Sequence, residues 1–191
     1  DYNQGLVLPT NISVYTSVEI KPRNDNIIKV TSKSFENTLS FSINECSMVN
    51  PSEWINYIKG VVGELIAAGA TLKGAELIIK SDIPIGAGLS SSAALEVATA
   101  LALLSTTKKK LKKTEIAKIC YKAERNYAGV NCGIMDQQSI ACGKEGYAML
   151  LDCRSMEMKF IPIPKNLSFI VIDTGVKHKL TESEYNDRPR E

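Results

Sequence analysis

The segment with the clearest chemical character lies at residues 83–94 and reads Ile-Pro-Ile-Gly-Ala-Gly-Leu-Ser-Ser-Ser-Ala-Ala. Its glycines let the backbone approach a bulky anion, and serines with free N–H groups at a helix start attract negative charge. A Walker A loop is excluded, because its closing Gly-Lys-Ser/Thr is absent. The pattern predicts a phosphate site, and a plain turn whose serines only cap the helix is the alternative. The predicted site consists of Gly86, Ala87, Gly88, Leu89, Ser90, Ser91 and Ser92.

Two carboxylates are placed where phosphoryl transfer could use them. Asp136 follows a glycine-containing loop at a predicted helix start, so the residues alone allow either a catalytic base or an N-terminal cap. Glu124 lies on the flank of an amphipathic helix, and a carboxylate at a core edge needs a partner. That partner is either a metal ion or a neighbouring basic side chain, namely Lys118, Lys122 or Arg125.

Other reactive residue types are sparse. Trp54 opens a predicted helix and either stacks on a purine or fills the core. His178 is the only histidine, and we give it a structural role. The five cysteines include no Cys-x-x-Cys pair, and an odd number cannot all pair within one chain. We therefore expect a cytoplasmic protein without a structural zinc site.

The composition favours a globular protein that acts on a small molecule. Of the 191 residues, 44% are hydrophobic and 23% are charged, and the formal net charge is +2. That charge is too small to recruit nucleic acid, and we interpret the lysine-rich run at 108–113 as a solvated connection rather than an RNA-binding surface. The longest apolar run, at 93–104, is too short for a membrane span. We expect no nucleic-acid partner, no membrane segment and a monomer.

The first half of the chain is predicted to be β-rich and then helical. Alternating and β-branched residues between positions 6 and 43 predict several antiparallel strands. A helix follows, capped by Asn50 with Pro51 in its first turn, and ends near Gly69. Residues 75–80 are typical of a strand, which leads into the glycine-rich segment.

The second half is predicted to begin with helices and to end in strands. A helix that is apolar on nearly every face spans 91–105, which implies a central, buried position. Another helix begins at Thr114, a good N-cap, and runs to residue 127. We further expect a short helix at 137–141, strands at 147–151, 156–161 and 169–172, and a final helix from residue 181.

Four segments together resemble a known family. Residues 83–94 resemble the ATP-binding signature of the GHMP kinases, which comprise galactokinase, homoserine kinase, mevalonate kinase and phosphomevalonate kinase. The opening Asp-Tyr-Asn-Gln-Gly-Leu-Val-Leu-Pro, the Cys-Gly-Ile-Met-Asp-Gln at 132–137 and the stretch at 173–186 resemble galactokinases. The resemblance implies an α+β fold, that of the GHMP kinase N-terminal domain (ribosomal protein S5 domain 2-like), across residues 1–191.

The resemblance also implies an enzyme that uses ATP and Mg²⁺ to phosphorylate the C1 hydroxyl of galactose. By resemblance, Asp136 accepts or orients the proton of that hydroxyl, and its main task is positioning because the transition state is loose. Ser92 and Glu124 would bind magnesium, and Trp54 would line the adenine pocket. The implied sugar-binding residues are Asp1, Gly133, Asp136 and Tyr185.

Several expectations concern departures from the family. The first half of the galactokinase signature, with its Arg, Glu and His, would precede Asp1, and a C-terminal domain would follow, so we expect this piece to be inactive alone. Arg188, Pro189 and Arg190 stand where the family usually has paired arginines. A kinase for N-acetylgalactosamine or another sugar is the nearest alternative, since pocket shape decides which C2 substituents fit. A galactose and ATP sensor without catalysis is the other.

Overall fold

The computed structural model describes residues 1–47 and 53–172, which form two β-sheets and a layer of helices. The strands are β1 (Leu6–Val7), β2 (Thr16–Pro22), β3 (Ile27–Ser32), β4 (Asn37–Ser42), β5 (Ala75–Ser81), β6 (Tyr147–Asp152) and β7 (Met158–Pro162). The helices are α1 (Ile55–Ala67), α2 (Ser91–Ser105), α3 (Lys113–Ala123) and α4 (Met135–Cys142), and a π-helical turn, Glu124–Ala128, continues α3. None of the helices formed by these residues combines the length and apolar character that a bilayer span needs.

The larger sheet has the strand order β2-β5-β3-β4. The strands predicted within residues 6–43 are present, but β2 pairs with β5 instead of its neighbour in sequence. β5 runs parallel to β3, with Leu77 opposite Val30. Along β3 the side chains alternate, since Ile28 and Val30 are buried and Lys29 is exposed. One face of the sheet is therefore apolar and packs against the helices.

The helices and the larger sheet share one core. On α1, Ile58, Val61 and Leu65 recur at helical spacing and are buried, as the apolar periodicity predicts. They belong to one apolar cluster with side chains of the sheet, α2 and α3. α2 lies centrally, as expected, although its Leu101 is exposed. The packing of α2 against both α1 and α3 fixes where its N-terminus lies.

The helix starts differ in how well local signals predicted them. α2 has the predicted bounds. The prediction of Thr114 as the cap of α3 is wrong, because Lys112 occupies that position and its backbone N–H donates to the Glu115 carboxylate at 2.7 Å. A carboxylate three residues into the helix accepts the cap N–H in a capping box. α1 begins at Ile55, and its predicted cap, Asn50, lies outside the described residues.

The smaller sheet has the order β1-β6-β7 and joins the start of the chain to its second half, with Val7 opposite Leu151. The strand predicted at 169–172 is wrong, because these residues form no strand and are exposed. A strand needs a hydrogen-bonded neighbour, and none of the strands in the described ranges pairs with this segment. The final helix predicted from residue 181 lies outside the described residues.

We expect Ile58→Ala to lower the free energy of unfolding by about 2–5 kcal/mol. The substitution empties a position that is 0% exposed in the core. Ile66→Ala is the matched control on the same helix, because Ile66 is 40% exposed and its truncation should cost less than about 1 kcal/mol. Urea denaturation followed by circular dichroism measures both values. Equal losses would contradict the orientation of α1.

Candidate active site

A cavity of about 580 Å³ opens between the larger sheet, the glycine-rich segment and the start of α4. Ala87, although predicted for the site, does not line it but lies at a second cavity beside Ile12. Tyr185 lies outside the described residues. The predicted residues that line the first cavity are Asp1, Trp54, Gly86, Gly88, Leu89, Ser90, Ser91, Ser92, Glu124, Gly133 and Asp136.

The glycine-rich segment turns sharply before α2. Gly86 and Gly88 have φ angles of 76° and 72°. Ser90, at the N-cap position of α2, has φ 54° and ψ 38°, a left-handed conformation that is strained for a residue with a side chain. Its side chain forms no capping hydrogen bond, so the capping alternative is wrong for Ser90. The N-terminus of α2, with its unpaired backbone N–H groups, therefore borders the cavity.

Asp136 lies in the first turn of α4, whose N-cap position is Ile134. The capping alternative for Asp136 is therefore also wrong. Burial raises the pKa of Asp136 above its ordinary value of 3.8, and the nearby Ser90 hydroxyl offsets part of that rise. Because Ser90 belongs to the glycine-rich segment, the carboxyl group stands beside the predicted phosphate site. A carboxylate with a raised pKa is a better proton acceptor than a solvated one.

The side chain of Asp1 holds the loop that precedes α4. One carboxylate oxygen, Oδ2, accepts the Met135 backbone N–H at 3.2 Å, and Oδ1 accepts the Tyr2 N–H at 2.9 Å. Gly133 packs directly against this carboxylate, since a Cβ atom at Gly133 would lie 2.1 Å from Asp1 Oδ2. The close approach leaves no room for a side chain at Gly133. Asp1, Gly133 and Asp136 thus share one wall of the cavity.

Glu124 begins the π-helical turn, a distortion that is frequent at functional sites. The residue is 2% exposed. Burial raises the pKa of its carboxyl group, and the charge of Asp136 adds to the rise, while the Ser92 hydroxyl and the Gln137 amide lower it. The Glu124 carboxyl therefore meets the first turn of α2 inside the protein.

No ion pair joins Glu124 to a lysine or arginine in the described part of the chain, so the surface ion-pair alternative is wrong. Arg125 instead donates to the Cys132 carbonyl oxygen at 2.9 Å and lies over the Tyr121 ring. The described residues contain no cluster of three His, Cys, Asp or Glu side chains suited to a metal ion. A carboxylate beside the Ser92 hydroxyl nevertheless fits Mg²⁺, which takes few protein ligands and keeps water and phosphate oxygens.

An aromatic pair lines the cavity, and only one of its members, Trp54, was predicted for the site. Phe35, in the turn between β3 and β4, stacks on Trp54 with ring centroids 5.1 Å apart and planes 10° from parallel. Both residues line the cavity, and the Trp54 Nε1 atom is buried without a hydrogen-bond partner among the described residues. Trp54 also packs against the core, so the two interpretations of this residue are compatible. Phe35 was missed because the contact depends on how the β3–β4 turn meets the start of α1, which no local pattern shows.

Two further polar side chains were missed. The Gln137 amide nitrogen donates to Glu124 Oε2 at 2.5 Å and to Glu96 Oε2 at 3.2 Å. Burial raises the pKa of Glu96 well above its ordinary value. Glu96 is the one charged residue in the sequence of α2, and that isolation was the signal that could have identified it.

We expect Asp136→Asn to stabilise the fold at neutral pH. Because the pKa of Asp136 is raised by folding, the folded state keeps its proton above pH 3.8 while the unfolded state releases it. The wild type therefore loses stability relative to the variant as the pH rises from that value. Thermal melts should give the variant a higher Tm at pH 7 and equal Tm values near pH 3. A constant difference across this range would contradict the burial of the carboxyl group.

Sequence comparisons agree with the family that the motifs resemble. The family model for the GHMP kinases N terminal domain matches residues 56–144. A galactokinase of Chloroflexus aurantiacus is 43% identical over 188 residues, covering 98% of this chain and 48% of that protein. A galactokinase of a Roseiflexus species is 41% identical over 191 residues, covering 100% of this chain and 49% of that protein. The chain therefore spans about half the length of these curated relatives.

Solved structures lead to the same family. The crystal structure of Lactococcus lactis galactokinase complexed with galactose superposes with a TM-score of 0.89 at 34% identity, covering 100% of this chain and 50% of that one. The crystal structure of the Methanococcus jannaschii mevalonate kinase superposes with a TM-score of 0.69 at 25% identity, covering 85% of this chain and 50% of that one. The α+β fold expected from the resemblance is confirmed. The chain belongs to the galactokinase family of the GHMP kinases.

Proposed function

We propose that the protein uses ATP to phosphorylate the C1 hydroxyl of galactose, giving galactose 1-phosphate in the first committed step of galactose catabolism. One observation carries the proposal: the Asp136 carboxyl and the N-terminus of α2 line the same cavity, with the Ser90 hydroxyl beside Asp136. This arrangement supports a proton acceptor beside a site for phosphate. The family of the relatives and the galactose complex of the Lactococcus lactis enzyme support the choice of sugar.

The glycine-rich segment would bind the phosphates of ATP. The first backbone N–H groups of α2 and the hydroxyls of Ser91 and Ser92 offer donors at the positive end of a helix dipole. The stacked pair of Phe35 and Trp54 lies in the same cavity and offers an aromatic wall to the purine ring. ATP would therefore extend from the β3–β4 turn to the start of α2.

Ser92 and Glu124 would hold Mg²⁺, whose charge would offset the negative charge of the phosphates. The two side chains would contribute two oxygen ligands at the start of α2. The buried Glu124 carboxyl has no cationic partner among the described residues, which favours binding of a cation there.

Asp136 would orient the C1 hydroxyl and take its proton as the new bond to phosphorus forms. Since the transition state is loose, proton removal can come late and orientation is the larger part of the task. Asp1 and Gly133, on the same wall, would bind the sugar, because a carboxylate accepts two sugar hydroxyls in a fixed plane. Tyr185 is proposed for the sugar site from the resemblance alone.

We also propose that the protein works as a monomer in the cytoplasm, with ATP and galactose as its partners and without nucleic acid. All five cysteines are free, which favours a reducing compartment. The net charge of +2 provides little attraction for nucleic acid.

Phosphorylation of a sugar panel by the full-length protein tests the proposed reaction. Galactose, N-acetylgalactosamine and glucose would each be incubated with ATP and Mg²⁺, and sugar 1-phosphate would be followed by ³¹P NMR. We expect product from galactose.

Asp136→Asn should lower kcat by about 100-fold or more while ATP affinity is retained. The control Asp82→Asn, at an exposed aspartate before the glycine-rich segment, should leave the rate unchanged. Product from N-acetylgalactosamine alone would overturn the substrate, and full turnover by Asp136→Asn would overturn the base.

Gly133→Ala tests whether the cavity wall that contains Asp1 and Gly133 binds the sugar. The new methyl group would overlap the Asp1 carboxylate and displace it. We therefore expect the KM for galactose to rise about tenfold or more, because the loss of one hydrogen bond to a charged group weakens binding by about that factor. The KM for ATP should stay within experimental error. Gly5→Ala is the matched control, because nothing lies within 4 Å of a Cβ at that position. An unchanged KM for galactose would exclude Asp1 from the sugar site.

A further inference from the structure

A chain of buried polar groups lies behind the candidate magnesium ligand. Glu124, Gln137 and Glu96 come from the π-helical turn, α4 and α2, and they are 2%, 0% and 0% exposed. The Gln137 amide nitrogen donates to one oxygen of each carboxyl group, at 2.5 Å to Glu124 and 3.2 Å to Glu96. One amide therefore connects the two carboxyl groups inside the protein.

Glu96 does not contact the cavity itself. Gln137 and Glu124 are among the residues that line the cavity, whereas Glu96 is not. In the part of the chain that the structure describes, its second carboxyl oxygen, Oε1, is buried without a hydrogen-bond partner. Burying such a group is costly, and the rest of α2 is neutral and largely apolar. The one contact that offsets this cost in the described structure is the contact with Gln137.

The contact with Glu96 determines which way the Gln137 amide faces. An amide beside a single carboxylate can rotate by 180° and exchange its nitrogen and oxygen. Rotation would take the amide nitrogen away from two accepting oxygens, Glu124 Oε2 and Glu96 Oε2, and both hydrogen bonds would be lost. Glu96 therefore holds the donor side of Gln137 toward Glu124. The donated hydrogen bond, in turn, fixes Glu124 Oε2, while the Ser92 and Cys132 side chains also form hydrogen bonds with the Glu124 carboxyl group.

We propose that Glu96 is a positioning residue that acts through Gln137 to hold the Glu124 carboxylate in the orientation that binds magnesium. This inference rests on the proposed function, since it assumes that Glu124 binds Mg²⁺ together with the nucleotide. Groups that orient a metal ligand in this way typically change metal affinity by about 10- to 100-fold when they are removed.

Nucleotide binding by the full-length protein, measured by calorimetry with ADP, tests the proposal. Each variant is titrated in Mg²⁺ and again in EDTA, and the ratio of the two affinities reports the metal contribution. Glu96→Met keeps the length of the side chain but removes the acceptor, and we expect the ratio to fall by about tenfold. Affinity in EDTA should be unchanged. Glu96→Gln keeps an acceptor oxygen and should retain the wild-type ratio.

Matched variants separate positioning from a general effect on folding. Thr99→Val is the control on the same helix, because Thr99 is fully buried and its hydroxyl also lacks a partner, but it has no contact with Gln137 among the described hydrogen bonds. It should leave the ratio unchanged. Where Glu96→Met does not fold, Glu96→Asp withdraws the carboxyl group from Gln137 by one methylene and should lower the ratio in the same direction.

A double variant checks the route through Gln137. If Glu96 acts only by orienting this amide, Glu96→Met added to Gln137→Met should lower the ratio no further than Gln137→Met alone. An additive loss would overturn that route.

The failure of this inference differs from the failure of the proposed function. A wild-type protein whose ADP affinity does not respond to Mg²⁺ would overturn the magnesium site and this inference with it. A wild type that responds, together with a folded Glu96→Met or Glu96→Asp that responds equally, would overturn the role of Glu96 alone.

Discussion

The burial of three carboxyl groups at one point is the constraint on which the rest of the site depends. Glu96, Glu124 and Asp136 come from α2, the π-helical turn and α4, and burial raises the pKa of all three. No ion pair within the described ranges compensates them. Carboxyl groups removed from water in this way destabilise the fold unless a proton, a hydrogen bond or a cation offsets the cost. The structure supplies hydrogen bonds from serine and glutamine side chains, and a magnesium ion at the proposed ligands Ser92 and Glu124 would offset a further part of the cost.

A rigid frame is needed to keep like charges together, and the apolar core provides it. α2 packs against α1, α3 and the strand β2 of the larger sheet. The insertion of β5 between β2 and β3 brings the end of β5, which leads into the glycine-rich segment, to the centre of the sheet. Because a packed core deforms little, the fold sets the positions of the glycine-rich segment and Asp136 relative to each other.

Local patterns predicted the elements, whereas contacts between distant residues could not be read from them. The bounds of α2 and the strand β5 follow from apolar periodicity and from flanking glycines, which act over a few residues. The partner of β2 and the stacking of Phe35 on Trp54 depend on how the chain returns to itself. Residues 169–172 have a strand-like composition but form no strand, because a strand also needs a hydrogen-bonded neighbour.

The same distinction holds within the candidate site. The glycine-rich segment and the Asp136 segment were identifiable because each is short and continuous, and the cavity brings them together. Glu96 and Gln137 lie 41 positions apart in sequence, and each alone is an ordinary helical residue. Their roles exist only in the contact that they share.

Ser90 connects the two halves of the proposed reaction. A glycine would adopt its left-handed backbone conformation without strain, so the serine side chain adds a cost at this position. The hydroxyl does not cap α2; it lies near the Asp136 carboxyl and lowers its pKa. The strain is therefore offset by an interaction with the proton acceptor rather than by helix stability. Because Ser90 belongs to the segment proposed to bind phosphate, its contact with Asp136 joins that segment directly to the proposed proton acceptor.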